Sequence, residues 1–159
     1  MNKTALIIAF CILALDQITK TIAVSAFAGK VIEVLPFFNL VLVWNRGISF
    51  GLFNQHSAYG PYLLIALALV IIAFFVTWLR KTDHPPLQIA MCAVIAGALG
   101  NVIDRVIYGA VVDFLDFHAF GYHWPAFNIA DSAVVLGIAF ILADSIFFER
   151  KREKKDENA

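Results

Sequence analysis

Between Gly47 and Leu79 the chain carries no charged side chain, and from Tyr62 to Leu79 only Thr77 interrupts an otherwise apolar run. About 20 residues rising 1.5 Å each cross the hydrocarbon layer of a bilayer, and an uncharged stretch of that length has no place on a water-soluble domain. The run predicts a membrane-spanning helix over residues 60–79, with Pro61 in the first turn, where its missing amide hydrogen is not needed. The rest of the chain agrees: of 159 residues, 61% are hydrophobic and 15% charged, against about 25% charged in soluble domains. Much of that charge is crowded between Glu149 and Glu157. This composition excludes a soluble globular enzyme and a disordered chain, and a formal net charge of zero supplies no basic excess for nucleic acid.

A second uncharged run, Leu87 to Ile103, predicts a helix over 87–107. Its Ala93, Ala96, Gly97 and Gly100 fall at four-residue spacings that let neighbouring helices approach closely. Two further segments, 4–28 and 129–148, are long enough to span but hold Asp16 with Lys20 and Asp131 with Asp144, respectively. The expectation is one α-helical membrane domain over 1–159, with four transmembrane helices and a small outward-facing β-sheet or hairpin after the first. A cleaved leader at the N-terminus is disfavoured, because a secretory apolar core does not normally hold both Asp16 and Lys20.

Orientation follows from the basic residues. Lys3, Arg80, Lys81 and the cluster from Arg150 to Lys155 lie at one set of helix ends, while Lys30 and Arg46 lie in the loops opposite. The positive-inside rule then puts both termini and the 80–86 loop in the cytoplasm, and residues 29–57 and 108–127 outside. The outer segment 31–53 is rich in valine and aromatics on either side of Asn45-Arg46-Gly47, which reads as a short hairpin or curved sheet turning there. It is too apolar to float free in water and is expected on the outer membrane surface. Residues 149–159 read as a solvated charged tail. Cys11 and Cys92, each inside an apolar stretch, read as small buried hydrophobes, and the histidines lack metal-ligand spacing, so neither metal nor cofactor is expected.

Charges in or beside spanning helices are costly unless paired, so each needs a reason. Asp16 and Lys20, four residues apart, share a helix face and suit an ion pair that anchors the first helix. Asn101 and Arg105 share a face at the outer end of the third helix, while Asp104 is expected to point elsewhere, capping backbone or pairing with a basic group. Asp113 follows the third helix, and Asp131 sits in the first turn of the fourth with Asn128 three residues before it, so antiparallel helices bring both carboxylates to one outer level. Two carboxylates brought close do not both ionise cheaply; one keeps a proton and the other acts as base, which is what amide hydrolysis by an activated water requires. Spacing alone leaves Asp116 an equal candidate partner, and leaves open that Asp131 merely complements a helix N-terminus. Asp144 reads as a surface charge near Arg150.

Five ordered blocks of the chain resemble a known family. Asp16-Gln17-Ile18-Thr19-Lys20, Asn45-Arg46-Gly47-Ile48-Ser49-Phe50, Gly97 to Arg105, Val112-Asp113-Phe114 and Phe127-Asn128-Ile129-Ala130-Asp131 are similar to the motifs of lipoprotein signal peptidase, or signal peptidase II. The resemblance implies an aspartic endopeptidase of the bacterial inner membrane that removes signal peptides from prolipoproteins, cutting just before a diacylglyceryl-modified cysteine. It implies that Asp113 and Asp131 are catalytic, that Asn45, Gly47, Asn101, Arg105 and Asn128 position substrate and dyad, and that Asp16, Lys20 and Asp104 give structural support. It also implies membrane lipid as a partner and the cyclic peptide globomycin as an inhibitor. Ala96 stands where many members have glycine. Two other classes also account for helix-borne carboxylates or an apolar sheet: a small proton-coupled transporter, and a non-catalytic membrane chaperone.

Overall fold

A computed structural model describes residues 2–47 and 59–149, which form four long helices and one small sheet. Helix α1 (Lys3–Ala26) is opened by Asn2, whose side chain accepts from Thr4 N at 2.9 Å. Helix α2 (Gly60–Leu79) starts on Pro61, and α3 (Pro85–Tyr108) ends on Gly109 in the left-handed conformation (φ 69°) that closes a helix at no steric cost. Helix α4 (Ile129–Asp144) is capped by Asn128 and runs on into a π-helical turn, Ser145–Glu149. Helices α1, α2 and α3, and α4 continued through the π-helical turn to Phe147, are long and apolar enough to cross a membrane.

Helix α3 packs against each of the other three helices, because its small residues let backbones meet. A Cβ placed on Gly97 would run into the carbonyl oxygen of Ala130 on α4, and one on Gly100 would lie 2.5 Å from Asp16 Oδ2 on α1. Helix α2 buries only Phe75 and Leu79, near its C-terminal end, in a cluster with Ala5, Met91, Val94 and Ile141; most of its remaining surface faces outward, as lipid-bathed side chains do.

The sheet is antiparallel in the order β1 (Ile32–Leu35), β2 (Phe38–Asn45), β3 (Val111–Ala119), β4 (Tyr122–His123). Three findings refine the sequence reading of this part. Among the described residues a hairpin turns at Pro36-Phe37, ahead of Asn45-Arg46-Gly47. The latter triplet follows on the end of β2, with Gly47 N donating to Asn45 Oδ1 at 2.8 Å and Gly47 at φ 77°, a side-chain-closed turn. The central partner of β2 is β3, from beyond two helices, which a local pattern of residues cannot announce. The rest of the expected outer segment, 48–53, and the charged tail from residue 150 lie outside the described residues.

The inner face of the sheet closes over the end of α1, where Val112 and Phe114 pack on Ala23 and Phe27. Two single residues also depart from expectation. Cys11 is exposed on the outward side of α1, whereas Cys92 is buried as expected. Asp144 is buried rather than superficial, because it falls on the face of α4 that also buries Gly137 and Ile141.

Candidate active site

The site is built on a buried ionic cluster. Lys20 Nζ lies 2.9 Å from Asp16 Oδ2, 2.9 Å from Asp104 Oδ2, and donates to Asn101 Oδ1 at 3.0 Å. A lone ammonium in such surroundings is prohibitively costly, and two carboxylates with a side-chain amide compensate it. Each carboxylate also holds backbone: Asp16 Oδ1 accepts from Ala130 N at the start of α4, and Asp104 Oδ2 from Val112 N at the start of β3. Gln17, which the sequence reading left out of the site, donates to Asp16, Asp104 and the carbonyl of Gly100. Its only signal was its place beside Asp16. The expectation that Asp104 points away from Asn101 is overturned: residues three apart on a helix are neighbours, and both reach Lys20.

This cluster hands its order on to a second network. Asn101 Nδ2 donates to Asp131 Oδ1 at 2.7 Å, its orientation set by Lys20 on the other end of the amide. Asn128 does two things at once: its Oδ1 accepts from Asp131 N at 2.8 Å, capping α4, and its Nδ2 donates to Asp113 Oδ1 at 2.7 Å. Asn45, at the end of β2, donates to the other oxygen of Asp113 at 2.9 Å. Arg105 donates to the carbonyl of Asn101 at 3.3 Å and lies within electrostatic reach of Asp131, Asp113 and Asp104. Every residue of the sequence-derived set except Gly47 thus contributes a side-chain hydrogen bond or ion pair to one connected system. Gly47 touches it through Asn45, and a Cβ there would meet Leu64 of α2.

Asp116, the rival partner left open by spacing, is turned away from this system. Successive strand residues alternate faces, so Asp113 and Asp116 point to opposite sides of β3. Asp116 instead accepts from Asn39 at 3.0 Å and contacts His123 Nδ1 at 2.9 Å. Burial pushes its carboxyl up, but the bonds from His123 and Asn39 outweigh that and hold it below the usual carboxylate range.

The chain that carries this arrangement matches the model of a known family. The model of signal peptidase II aligns with residues 8–147. The chain belongs to the signal peptidase II family. With that it joins a family of proteases, which displaces the transporter and chaperone alternatives. Among its relatives, the lipoprotein signal peptidase of Azoarcus sp. (strain BH72) is 43% identical over 139 residues, covering 86% of this chain and 79% of the relative. That of Methylobacterium sp. (strain 4-46) is 39% identical over 142 residues, covering 87% and 86%. A bacterial membrane enzyme solved by the in meso method at 1.9 Å resolution superposes with a TM-score of 0.80 at 33% identity, covering 92% of this chain and 94% of that one. A second, solved at 2.3 Å, gives a TM-score of 0.75 at 34% identity, covering 89% of each chain.

In this signal peptidase II family member Asp131 is half-buried and opens onto an apolar groove of about 370 Å³ lined by Trp124, Phe127, Ser132, Val135 and Leu136. Asp113 is 1% exposed. Burial, opposed by the bond from Asn45 and reinforced by the negative charge of Asp131, pushes the Asp113 carboxyl from 3.8 up to about 6.

A stability effect follows with a definite sign. A group whose folded pKa is raised favours the folded state most below its unfolded pKa, and that benefit is lost as pH rises through the folded value. Between pH 3.8 and about 6 the wild type therefore loses about 3 kcal/mol that an Asp113→Asn variant, which has no such proton, does not lose. Unfolding in detergent micelles from pH 3.5 to 8 should show the stability of Asp113→Asn relative to wild type climbing by that amount across the window and levelling above pH 7. A difference that does not vary with pH counts against the shift.

Proposed function

We propose that the protein is an aspartic endopeptidase that cleaves the signal peptide from diacylglyceryl-modified prolipoproteins, just before the lipidated cysteine. The observation that supports this reading is the asparagine network that joins the two residues: Asn128 donates to the Asp113 carboxyl and caps the backbone N–H of Asp131, while Asn101, itself bonded by Asn128, donates to the Asp131 carboxyl. In the reaction one carboxylate takes a proton from water as the oxygen attacks the scissile carbonyl carbon. The other carboxyl, still protonated, protonates the leaving nitrogen as the C–N bond breaks, giving a signal peptide with a free carboxylate and a new amino-terminal cysteine. A carboxyl raised to about 6 by burial and by a neighbouring carboxylate suits a pair that holds one proton between them.

Asn101 and Asn45 position the pair, Arg105 complements the negative charge, and Gly47 lets the chain pass close to α2. The apolar groove beside Asp131 suits a substrate that arrives from within the bilayer carrying acyl chains and an apolar helix. Membrane lipid is thus a working partner, and globomycin an expected inhibitor. The location that fits is the bacterial inner membrane, with both termini cytoplasmic and the carboxylates at the outer face.

The test is purified full-length protein in lipid-containing micelles with a lipidated prolipoprotein, scored for release of the signal peptide and for cleavage before the modified cysteine. No release, or equal release from a precursor lacking the lipid, overturns the assignment. For orientation, reporter fusions after Lys81 and after Lys155 are expected to read as cytoplasmic, and fusions near His56 and Gly121 as external. An external reading after Lys155 breaks the four-span arrangement.

A further inference from the structure

The catalytic reading leaves a polar cluster on the sheet unused. Directly opposed positions put Asn39 of β2 beside Asp116 of β3, and His118 of β3 beside His123 of β4. Both oxygens of Asp116 contact His123 Nδ1, at 2.9 and 3.0 Å, while the His118 ring stacks on that of His123 with centroids 4.8 Å apart. Asp116 is buried, whereas the His123 side chain is 56% exposed, so the contact closes the sheet from its open edge.

Strand pairing along that edge is short. Strand β4 is two residues long, and its turn carries Phe120, a non-glycine residue at φ 51° and fully exposed, in a conformation that an aromatic side chain adopts only under constraint. Beyond His123 the chain runs back to α4, pinned by Trp124 N to Phe117 O at 2.8 Å and by Phe127 N to Leu115 O at 3.1 Å. Every residue of consequence on this return lies at the site: Trp124 and Phe127 line the groove, and Asn128 binds both Asp113 and Asp131. His123 sits at the start of the segment, on the far side of the sheet from the carboxylates.

We propose that Asp116 and His123 are positioning residues for the peptidase site: they clamp the return segment 122–128, so that Trp124 and Phe127 form the groove wall and Asn128 meets the Asp113 carboxylate and the Asp131 backbone N–H. The inference rests on the signal-peptide reading for the identity of the groove's occupant, but not for the clamp itself. A clamp on the groove wall acts on substrate capture more than on chemistry, because Asn128 is also held by α4 and by Asp113.

The full-length protein in micelles carries the test, with two readouts. In His123→Ala and in Asp116→Ala, KM for the lipidated precursor should rise about tenfold while kcat stays within about threefold. The double variant should be no worse than either, as for two residues acting through one contact. His123→Asn, which keeps a donor where Nδ1 stands, should recover most of the KM. Independently of substrate, hydrogen exchange at the Trp124 and Phe127 amides should quicken about tenfold in His123→Ala and slow again in His123→Asn, with α2 unchanged. Unaltered exchange and unaltered KM overturn the proposal. So does a parallel fall of kcat and KM-normalised rate that His123→Asn fails to rescue, since that marks a general structural defect. If the wild type releases no peptide while exchange responds as expected, the signal-peptide reading falls and the clamp stands.

Discussion

Asp113→Asn and Asp131→Asn are each expected to lower the rate of peptide release by roughly 10⁴-fold or more, with the double variant little worse than either. In the proposed reaction both carboxyls act on one water: removing the proton acceptor or the proton donor stops the same step, so the costs are not expected to add. Asparagine keeps the size of aspartate and can still accept from Asn128 or from Asn101, so either single variant should insert, fold and bind the lipidated precursor. Single-turnover cleavage, paired with co-purification of the precursor, separates lost chemistry from lost binding. Glu33→Gln, at the exposed first strand of the sheet, is the control expected to keep full activity. Asp144, superficially an obvious control, is unsuitable because it is buried. Additive losses would mean that the two carboxyls serve separate steps. Activity that survives in Asp113→Asn and disappears in Asp116→Asn would move the chemistry to the other face of β3.

The sequence made the helices legible because lipid imposes a simple rule: a long uncharged run must span. It made the Asp16–Lys20 pair legible because a helix fixes which residues are neighbours, and the same logic applied to Asn101 and Asp104 would have placed both on one face of the third helix, the face that meets Lys20. The sheet was only half legible. Valine and aromatic enrichment marked β2, but its pairing with β3 joins residues such as Asn39 and Asp116 across two intervening helices, and no local pattern specifies such a register. The turn read at Asn45-Arg46-Gly47 has a physical basis: its residues close on the Asn45 side chain at the end of β2. The turn at Pro36-Phe37 carries no comparable glycine or asparagine signal and is missed by the sequence reading. The Asp116–His123 contact and the role of Gln17 depended on that unseen register and on helix packing, and so lay beyond reach.

The largest stability loss should come from Lys20→Met. Lys20 is 3% exposed and faces two carboxylates that are as deeply buried, so deleting the ammonium leaves Asp16 and Asp104 uncompensated at the junction of α1, α3, α4 and β3. Removing one member of a buried ion pair typically costs about 3–5 kcal/mol, most of it the burden of the orphaned charge rather than the worth of the bond. That origin makes the loss reversible. In Lys20→Met with Asp16→Asn and Asp104→Asn the charges are gone, while each asparagine still offers an oxygen to Ala130 N or Val112 N, and at least half of the lost stability should return. Activity should not return with it. Lys20 also orients Asn101, whose amide donates to Asp131; without the ammonium on its oxygen, that amide is free to turn. Unfolding in micelles and peptide release, measured on the same preparations, should therefore part company in the triple variant. A Lys20→Met loss below about 1 kcal/mol would mean that the carboxylates take up protons instead of remaining charged, and full activity in the triple variant would show that Asn101 needs no support from Lys20.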